Sequence, residues 1–235
     1  MFETIRQAGT SSTGSDGHIT VGAAVDFMQD CSIFHVDSMK DMDGYLHENK
    51  IKIFIASRQI NIIRMPKYSE NLKIRTWIYE ITRACAYRNT VIYDEDENVC
   101  VSSYTIGAFV SQVTGKAVLI GNDLINKIKI YNKFDMVYLD RKILLPKEKP
   151  IKCEPVSVLK YHLDYNNHVN NSKYITIAYE YLPLDFKFKQ VRVEYKTPAK
   201  YKDILFPLKY INKNAIIVDL CAENGASFAT VEFMN

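Results

Sequence analysis

The feature that most constrains this chain is that one order of elements occurs twice. From Thr20, a residue suited to cap a helix, Val21, Val25, Met28, Ser32 and His35 mark one helical stripe, which Phe27 and Phe34 widen. Strand-like segments follow at Phe54 to Ile63 and Leu72 to Ile81, flanking a break at Met65 to Ser69, then at Ala86 to Tyr93 and Val99 to Val110, flanking the acidic turn Asp94 to Asn98. The plan returns near Asn170: a helical segment, Phe188 to Tyr195, a Thr197-Pro198 break, Ile204 to Ile211, Ala215 to Ala222 and Gly225 to Phe233. Gly17-His18-Ile19 aligns with Asn167-His168-Val169, Asp30 with Glu180, and Gln59 to Pro66 with the segment around Gln190 to Pro198. The offset is about 150 residues at the helix and about 132 at the strands, so the first copy carries an insertion between the two.

A helix on an antiparallel sheet is an α+β unit, and a lone unit of this kind leaves a sheet edge open. Two copies in one chain can pair side by side as a fused isologous dimer, with a continuous sheet covering both helices. The expected division is a first repeat over residues 1–120, a connector over 121–155 and a second repeat over 156–235. Met1 to Gly17 reads as a loop with a short strand at its start, and Asp41 to Lys50 as turn chemistry broken at Asp43-Gly44.

Composition narrows the function. At 47% hydrophobic residues, the 235-residue chain has ample material for a buried core, but no run approaches a membrane-spanning length, and the start lacks the order of a signal peptide. A cytoplasmic protein with no membrane association is expected. The five cysteines are far apart and form no CxxC pair, so neither a disulfide framework nor a zinc site is expected; no other metal and no cofactor is called for. A net charge of +3 is too mild to suggest nucleic acid. Locally, Lys127, Lys129, Lys133, Arg141, Lys142, Lys147, Lys149 and Lys152 crowd the connector, which is a solvated linker or a landing surface for an acidic partner.

The chemistry concentrates in His162 to Pro183. Asp164, Asn166 and His168 fall on alternate positions, and Asn170 or Asn171 can cap the helix whose apolar face is Tyr174, Ile177, Ala178 and Tyr181. An acid, an amide and an imidazole thus precede the positive end of a helix, where an oxyanion is stabilised. Taken from the residues alone, turns and caps account for this pattern about as well as catalysis does. His18 lacks the matching amide and has Asp16 at the wrong spacing, which makes it a structural remnant. His35, on an apolar helix face, is expected to be a satisfied core histidine, and Glu180 a paired polar residue.

Asp164-Tyr165-Asn166-Asn167-His168-Val169-Asn170-Asn171-Ser172-Lys173-Tyr174 resembles the Asp-x-Asn-x-His-Val-Asn-Asn-x-Lys-Tyr signature of the fatty acyl-acyl carrier protein (acyl-ACP) thioesterases of plants and bacteria. Ser57-Arg58 through Pro66 to Thr76-Trp77 is similar to that family's first-repeat strands, and Val193-Glu194-Tyr195 to the strand after its second helix. The resemblance implies a tandem double hotdog fold in which the first repeat shapes the acyl pocket and the second supplies the chemistry. It implies hydrolysis of the acyl-ACP thioester to free fatty acid, ending chain elongation, with acyl carrier protein as partner and Asp164, Asn166 and His168 as the catalytic residues. Where plant members carry a Glu-Cys pair, this chain has Pro198-Ala199, so neither a catalytic Glu nor a Cys nucleophile carries over.

The expected mechanism has His168 and Asp164, oriented by Asn166, activating a water, while backbone N–H groups at the helix start hold the oxyanion. Direct attack by Asp164 is the variant. Competing readings are an acyl-coenzyme A thioesterase, a non-catalytic acyl-binding hotdog protein and, last, a dehydratase. Acyl length, branching and association as a homodimer stay open at this point.

Overall fold

The computed structural model describes all 235 residues, and the chain divides into two compact units, Met1–Arg58 with Ile62–Tyr138, and Gln59–Asn61 with Leu139–Asn235. In the first unit the elements are β1 (Phe2–Gln7), α1 (Val21–Ser38), α2 (Lys40–Glu48), β2 (Ile51–Ile62), β3 (Asn71–Ile81), β4 (Cys85–Tyr93), β5 (Val99–Ser111) and the single turn α3 (Asn122–Ile125). The strand order is β1-β3-β4-β5-β2. The β1–β3, β3–β4 and β4–β5 pairs are antiparallel.

α1 lies on this sheet, chiefly against β3. Thr20 caps it by accepting the Ala23 N–H at 3.1 Å. Its buried face is Val21, Gly22, Ala24, Val25, Met28, Cys31 and His35, the expected stripe shifted slightly, with Phe34 left exposed. Below it, Leu72, Ile74, Thr76 and Ile78 alternate inward along β3 and are fully buried, while Lys73 and Arg75 turn outward to ion pairs with Glu97 and Glu3. Each fully buried aliphatic here stabilises the unit by roughly 1.5–3 kcal/mol.

The segment expected to be a turn, Asp41 to Lys50, is instead mostly α2. Met42 and Leu46, one helical turn apart, are buried in a cluster with Ile78, Phe109 and Ile120. Asp41 and Asp43 sit in the first turn, where acids favour a helix start. That tertiary burial outweighs the cost of Gly44 in a helix interior, about 1 kcal/mol.

The second unit contains β6 (Ile151–Lys152), β7 (Val156–Ser157), α4 (Asn171–Tyr179), β8 (Gln190–Tyr195), β9 (Ile204–Ile211), β10 (Ala215–Cys221) and β11 (Ser227–Met234). The antiparallel order is β8-β11-β10-β9, with β6 and β7 both pairing with β9. α4 packs on β10 and β11 and buries Ser172, Tyr174, Ile175, Ile177 and Ala178. It stops at Tyr179, so Tyr181 falls outside the helix and donates its hydroxyl to the Glu154 carbonyl at 2.7 Å. Each unit is therefore a helix on an antiparallel sheet, the hotdog arrangement. No helix of either unit is long and apolar enough to cross a membrane.

Candidate active site

The loop before α4 is a clasp built around Asp164. A short 3-10 turn at Lys160–His162 leads into a narrow hairpin closed by the Leu163–Val169 bridge. The Asp164 N–H donates to the His168 carbonyl at 2.8 Å, and the Asn167 N–H to the Asp164 carbonyl at 3.0 Å. Asn167 takes up the left-handed conformation at φ 59°, one that Asn tolerates better than most residues. Asp164 Oδ1 accepts the backbone N–H of Asn166 at 2.8 Å and that of His168 at 3.3 Å. The three residues singled out by the sequence thus stand on one five-residue hairpin, with Asn166 exposed and Asp164 and His168 half-buried.

The back of the hairpin is anchored from several directions. The Val169 N–H donates to the Ala199 carbonyl at 2.9 Å, and the Asn170 N–H to the His162 carbonyl at 2.8 Å. Ala199 is fully buried, and its own N–H donates to Tyr174 Oη at 2.7 Å. Burial pushes the Tyr174 phenol up to about 12, so it stays neutral. Tyr195 packs edge-on to it and donates its hydroxyl to the Asn171 carbonyl at 3.0 Å. Buried His162 accepts the Leu159 N–H at Nδ1, 3.0 Å away; burial, then the nearby Lys173 charge, holds its imidazole below the usual histidine range. Ala199 thus serves, through its carbonyl and its N–H, as a backbone fastener for the motif.

Four of these supports went unrecognised in the sequence: His162, Tyr174 as a hydrogen-bond acceptor, Tyr195 and Ala199. Only Tyr174 carried a signal, its place in the helical stripe. The others act through partners brought near by the fold.

Asn170 caps α4, its Oδ1 accepting the Ser172 N–H at 3.1 Å while its carbonyl accepts the Lys173 N–H at 2.9 Å. Those two first-turn amides are thereby committed, so the expectation that bare amides of the helix start hold an oxyanion does not extend to them. The Asn166 carboxamide, in contrast, makes no hydrogen bond within the protein and was expected to orient its neighbours. Glu180 does not join the group: it is the exposed C-cap of α4, nine helical residues beyond Asn170 or roughly 14 Å along the axis, and no hydrogen bond or ion pair holds it. It is therefore not the paired residue expected.

The first unit repeats the clasp nearly bond for bond. Residues Thr10–Ser12 form the 3-10 turn, Thr13 bridges Ile19, and the Gly14 N–H donates to the His18 carbonyl at 2.8 Å. Gly17 occupies the left-handed position at φ 78°, and the Ile19 N–H donates to the Pro66 carbonyl at 2.8 Å as Val169 does to Ala199. The chemistry differs. Gly14 stands where Asp164 stands, and His18 turns its Nδ1 to the Asp16 carbonyl at 3.1 Å. This loop keeps the backbone but carries its acid two positions later, at Asp16, whose Oδ1 accepts the His18 N–H at 3.0 Å and whose Oδ2 lies 3.6 Å from the His18 ring; it has no carboxamide, which fits a structural remnant. His35, on the buried face of α1, accepts a hydrogen bond at Nδ1 from Arg88 Nη1 at 2.7 Å and stacks on Phe2; it is a satisfied core histidine. No group of His, Cys, Asp or Glu has metal-binding geometry, and all five cysteines are free thiols.

A hairpin carrying an acid, an amide and an imidazole at a helix start, set in the second of two helix-on-sheet repeats, belongs to the class of double-hotdog thioester hydrolases. Comparison with known proteins narrows the class to a family. Residues 7–128 match the acyl-ACP thioesterase N-terminal domain and residues 147–221 the C-terminal domain of the same enzymes. The fold is similar to that of an acyl-ACP thioesterase from Bacteroides thetaiotaomicron, with TM-score 0.88 at 17% identity over 99% of this chain and 96% of the other. It is also similar to a 12:0-ACP thioesterase from Umbellularia californica, with TM-score 0.83 at 15% identity over 99% and 96% of the two chains. No curated protein matches it in sequence. The chain belongs to the acyl-ACP thioesterase family: it is a hydrolase whose substrate is fatty acyl-acyl carrier protein.

Proposed function

We propose that Asp164, Asn166 and His168 carry out the hydrolysis, and that the reaction ends fatty acid elongation in the cytoplasm. The first repeat, within residues 1–120, takes the acyl chain, and the second, 156–235, supplies the chemistry. The observation that carries this reading is the clasp: the second loop sets an acid at Asp164 and a carboxamide at Asn166 where its backbone twin in the first unit has Gly14 and Asp16, and the Asn166 carboxamide has no bond in the turn itself.

In the proposed reaction a water oxygen attacks the thioester carbonyl carbon while His168, aligned by Asp164, takes the water proton. The Asn166 carboxamide, unengaged by the protein, donates to the carbonyl oxygen as it becomes an oxyanion. Collapse breaks the carbon–sulfur bond, the thiolate takes the proton from His168, and free fatty acid and thiol-bearing carrier leave. Single Ala replacements of the three residues test the assignment. Loss of about two to four powers of ten in acyl-ACP hydrolysis is expected for Asp164→Ala and His168→Ala; near-parental rates in all three folded variants would sink it. Single-turnover hydrolysis in heavy-oxygen water tests the Asp164-nucleophile variant: label in the Asp164 carboxylate requires an acyl-Asp164 anhydride opened by water at the aspartyl carbonyl. Acyl-coenzyme A remains the second substrate reading, favoured by the same exposed lysines of the connector, since its phosphates are also anionic.

A further inference from the structure

The two clasps differ on their outer side in a way that their backbones do not require. In the second unit the 3-10 turn lies beside the loop after Ala199. The Val158 N–H donates to the Asp203 carbonyl at 2.8 Å, the Lys202 N–H to the Val158 carbonyl at 3.1 Å, and the Lys200 N–H to Asp203 Oδ2 at 2.8 Å. The first unit makes the same three bonds: Ala8 N–H to the Glu70 carbonyl at 2.9 Å, Ser69 N–H to the Ala8 carbonyl at 2.8 Å, and Lys67 N–H to Glu70 Oε1 at 2.9 Å. Lys202 and Ser69 also share the left-handed conformation, at φ 73° and 71°. What stands on this common frame has changed. Thr10, Ser11, Ser15 and Ser69 of the first unit have Lys160, Tyr161, Tyr165 and Lys202 as their counterparts in the second.

The result is a cationic and aromatic face around the site hairpin. Tyr161 and Tyr165 are 68% and 81% exposed. Tyr201 is exposed too, with Lys160 Nζ 6.0 Å and Lys202 Nζ 5.6 Å from its ring centroid. Lys200 adds a third exposed ammonium group, and Asp203, the acid of this loop, already accepts the Lys200 N–H. Clustered exposed aromatics mark a surface that gains by being covered, and Tyr is among the residues that anchor interfaces. A turn that only had to close would do so with Thr and Ser, as the first unit does.

We propose that acyl carrier protein docks on this face of the second unit, where Lys160, Lys200 and Lys202 meet its acidic groups and the phosphodiester at the base of its phosphopantetheine arm, and Tyr161, Tyr165 and Tyr201 pack against it. The inference rests on the reading that Asp164 and His168 carry the reaction. The thioester hangs at the end of the arm, so the carrier has to settle within one arm's length of their hairpin. This face flanks the hairpin on the same unit and bears the sign of charge that an acidic carrier complements. The basic end of the connector runs on from it, since Lys152 pairs with Leu208 and Ser157 with Ile204 along β9.

The twin supplies the test, because each replacement is a residue that the same backbone already accepts in the first unit. In the full chain, Lys160→Thr, Tyr161→Ser and Lys202→Ser together are expected to raise KM for decanoyl-ACP about tenfold or more, with kcat within about twofold of the parent. Affinity for the holo carrier without an acyl chain should weaken by a similar factor. Hydrolysis of decanoyl-pantetheine, which has neither carrier nor phosphate, should not change. Lys67→Ala with Tyr68→Ala, on the loop of the first unit, should leave all of these as they are. Unchanged KM and carrier affinity in the triple variant overturn the docking face and leave the hydrolase reading standing, because carrier binding is measured without turnover. An equal rise in KM for decanoyl-coenzyme A would make the face a phosphate site, and an equal loss on decanoyl-pantetheine would place these residues in the reaction itself; either result overturns the proposal. Asp164→Ala and His168→Ala test the underlying reading separately: both should bind the carrier as the parent does, and full hydrolysis by both defeats that reading.

Discussion

Asp164 has a structural and a chemical duty, and substitution can separate them. Its Oδ1 fastens the hairpin through two amides, a task that the carbonyl oxygen of Asn performs equally well. Asp164→Asn is therefore expected to keep the fold and Tm within a few degrees while hydrolysis falls at least a hundredfold. An active Asp164→Asn enzyme would reduce the residue to a turn. His35 yields a prediction of a different kind. Burial foremost, then the Arg88 charge, lowers its imidazole from 6.5 to about 4. Below about 6.5 the unfolded chain gains a proton that the folded protein refuses, so stability rises with pH across this window and is lost as pH falls toward 4. The loss is at most about 3 kcal/mol. His35→Gln retains an acceptor for Arg88 and should flatten the urea midpoint between pH 7 and pH 4; an unchanged acid slope would contradict this account.

At the scale of elements, the segment after α3 is held to the outer face of the first sheet chiefly by one side chain. Asn89 is fully buried and uses all its capacity: Oδ1 accepts from the Phe134 N–H at 3.1 Å and the Tyr138 hydroxyl at 3.0 Å, and Nδ2 donates to the Ser103 carbonyl at 3.3 Å and to Met136 Sδ at 3.8 Å. Trp77 Nε1 adds a bond to the Asn132 carbonyl at 2.8 Å, and Lys133 lies 3.7 Å over the Tyr138 ring. Asn89→Leu should cost about 2–4 kcal/mol, because it takes the acceptor from the part-buried Phe134 N–H as well as losing its own bonds. Amide exchange at Phe134 should accelerate while that of Ile74 in β3 does not. The α4 cap is a smaller device: Asn170→Ala should cost about 1 kcal/mol in urea unfolding.

For the whole molecule, the electrostatic expectation concerns its carrier. Arg141, Lys142, Lys147, Lys149 and Lys152 are all exposed, with Glu148 and Glu154 the acids among them. If this stretch receives an acidic carrier, KM for acyl-ACP rises steeply with salt while kcat holds, because exposed charges are screened within about 8–10 Å at physiological ionic strength. Lys147→Glu with Lys149→Glu should raise KM for acyl-ACP several-fold and affect acyl-coenzyme A less. Equal effects on both substrates would favour simple phosphate attraction.

The sequence alone determined the features whose causes are local. The order of elements repeats because hydrophobic period and turn residues repeat; Thr20 and Asn170 cap their helices because their side chains reach the first-turn amides. In sequence the Asp164-Asn166-His168 run reads as an extended or turning segment before a capped helix; the bonds that turn it into a hairpin are local, spanning at most four residues. Tertiary structure decided what depends on distant partners. Asp43-Gly44 became helix because Met42 and Leu46 found a core. Pro198-Ala199, a loss when judged by side chains, became the fastener of the motif through one carbonyl. Thr76, Thr90 and Ser103 are ordinary strand residues in sequence, and only the register of three strands sets them in one buried row beside Arg88, since a shift of one residue would turn each to the opposite face.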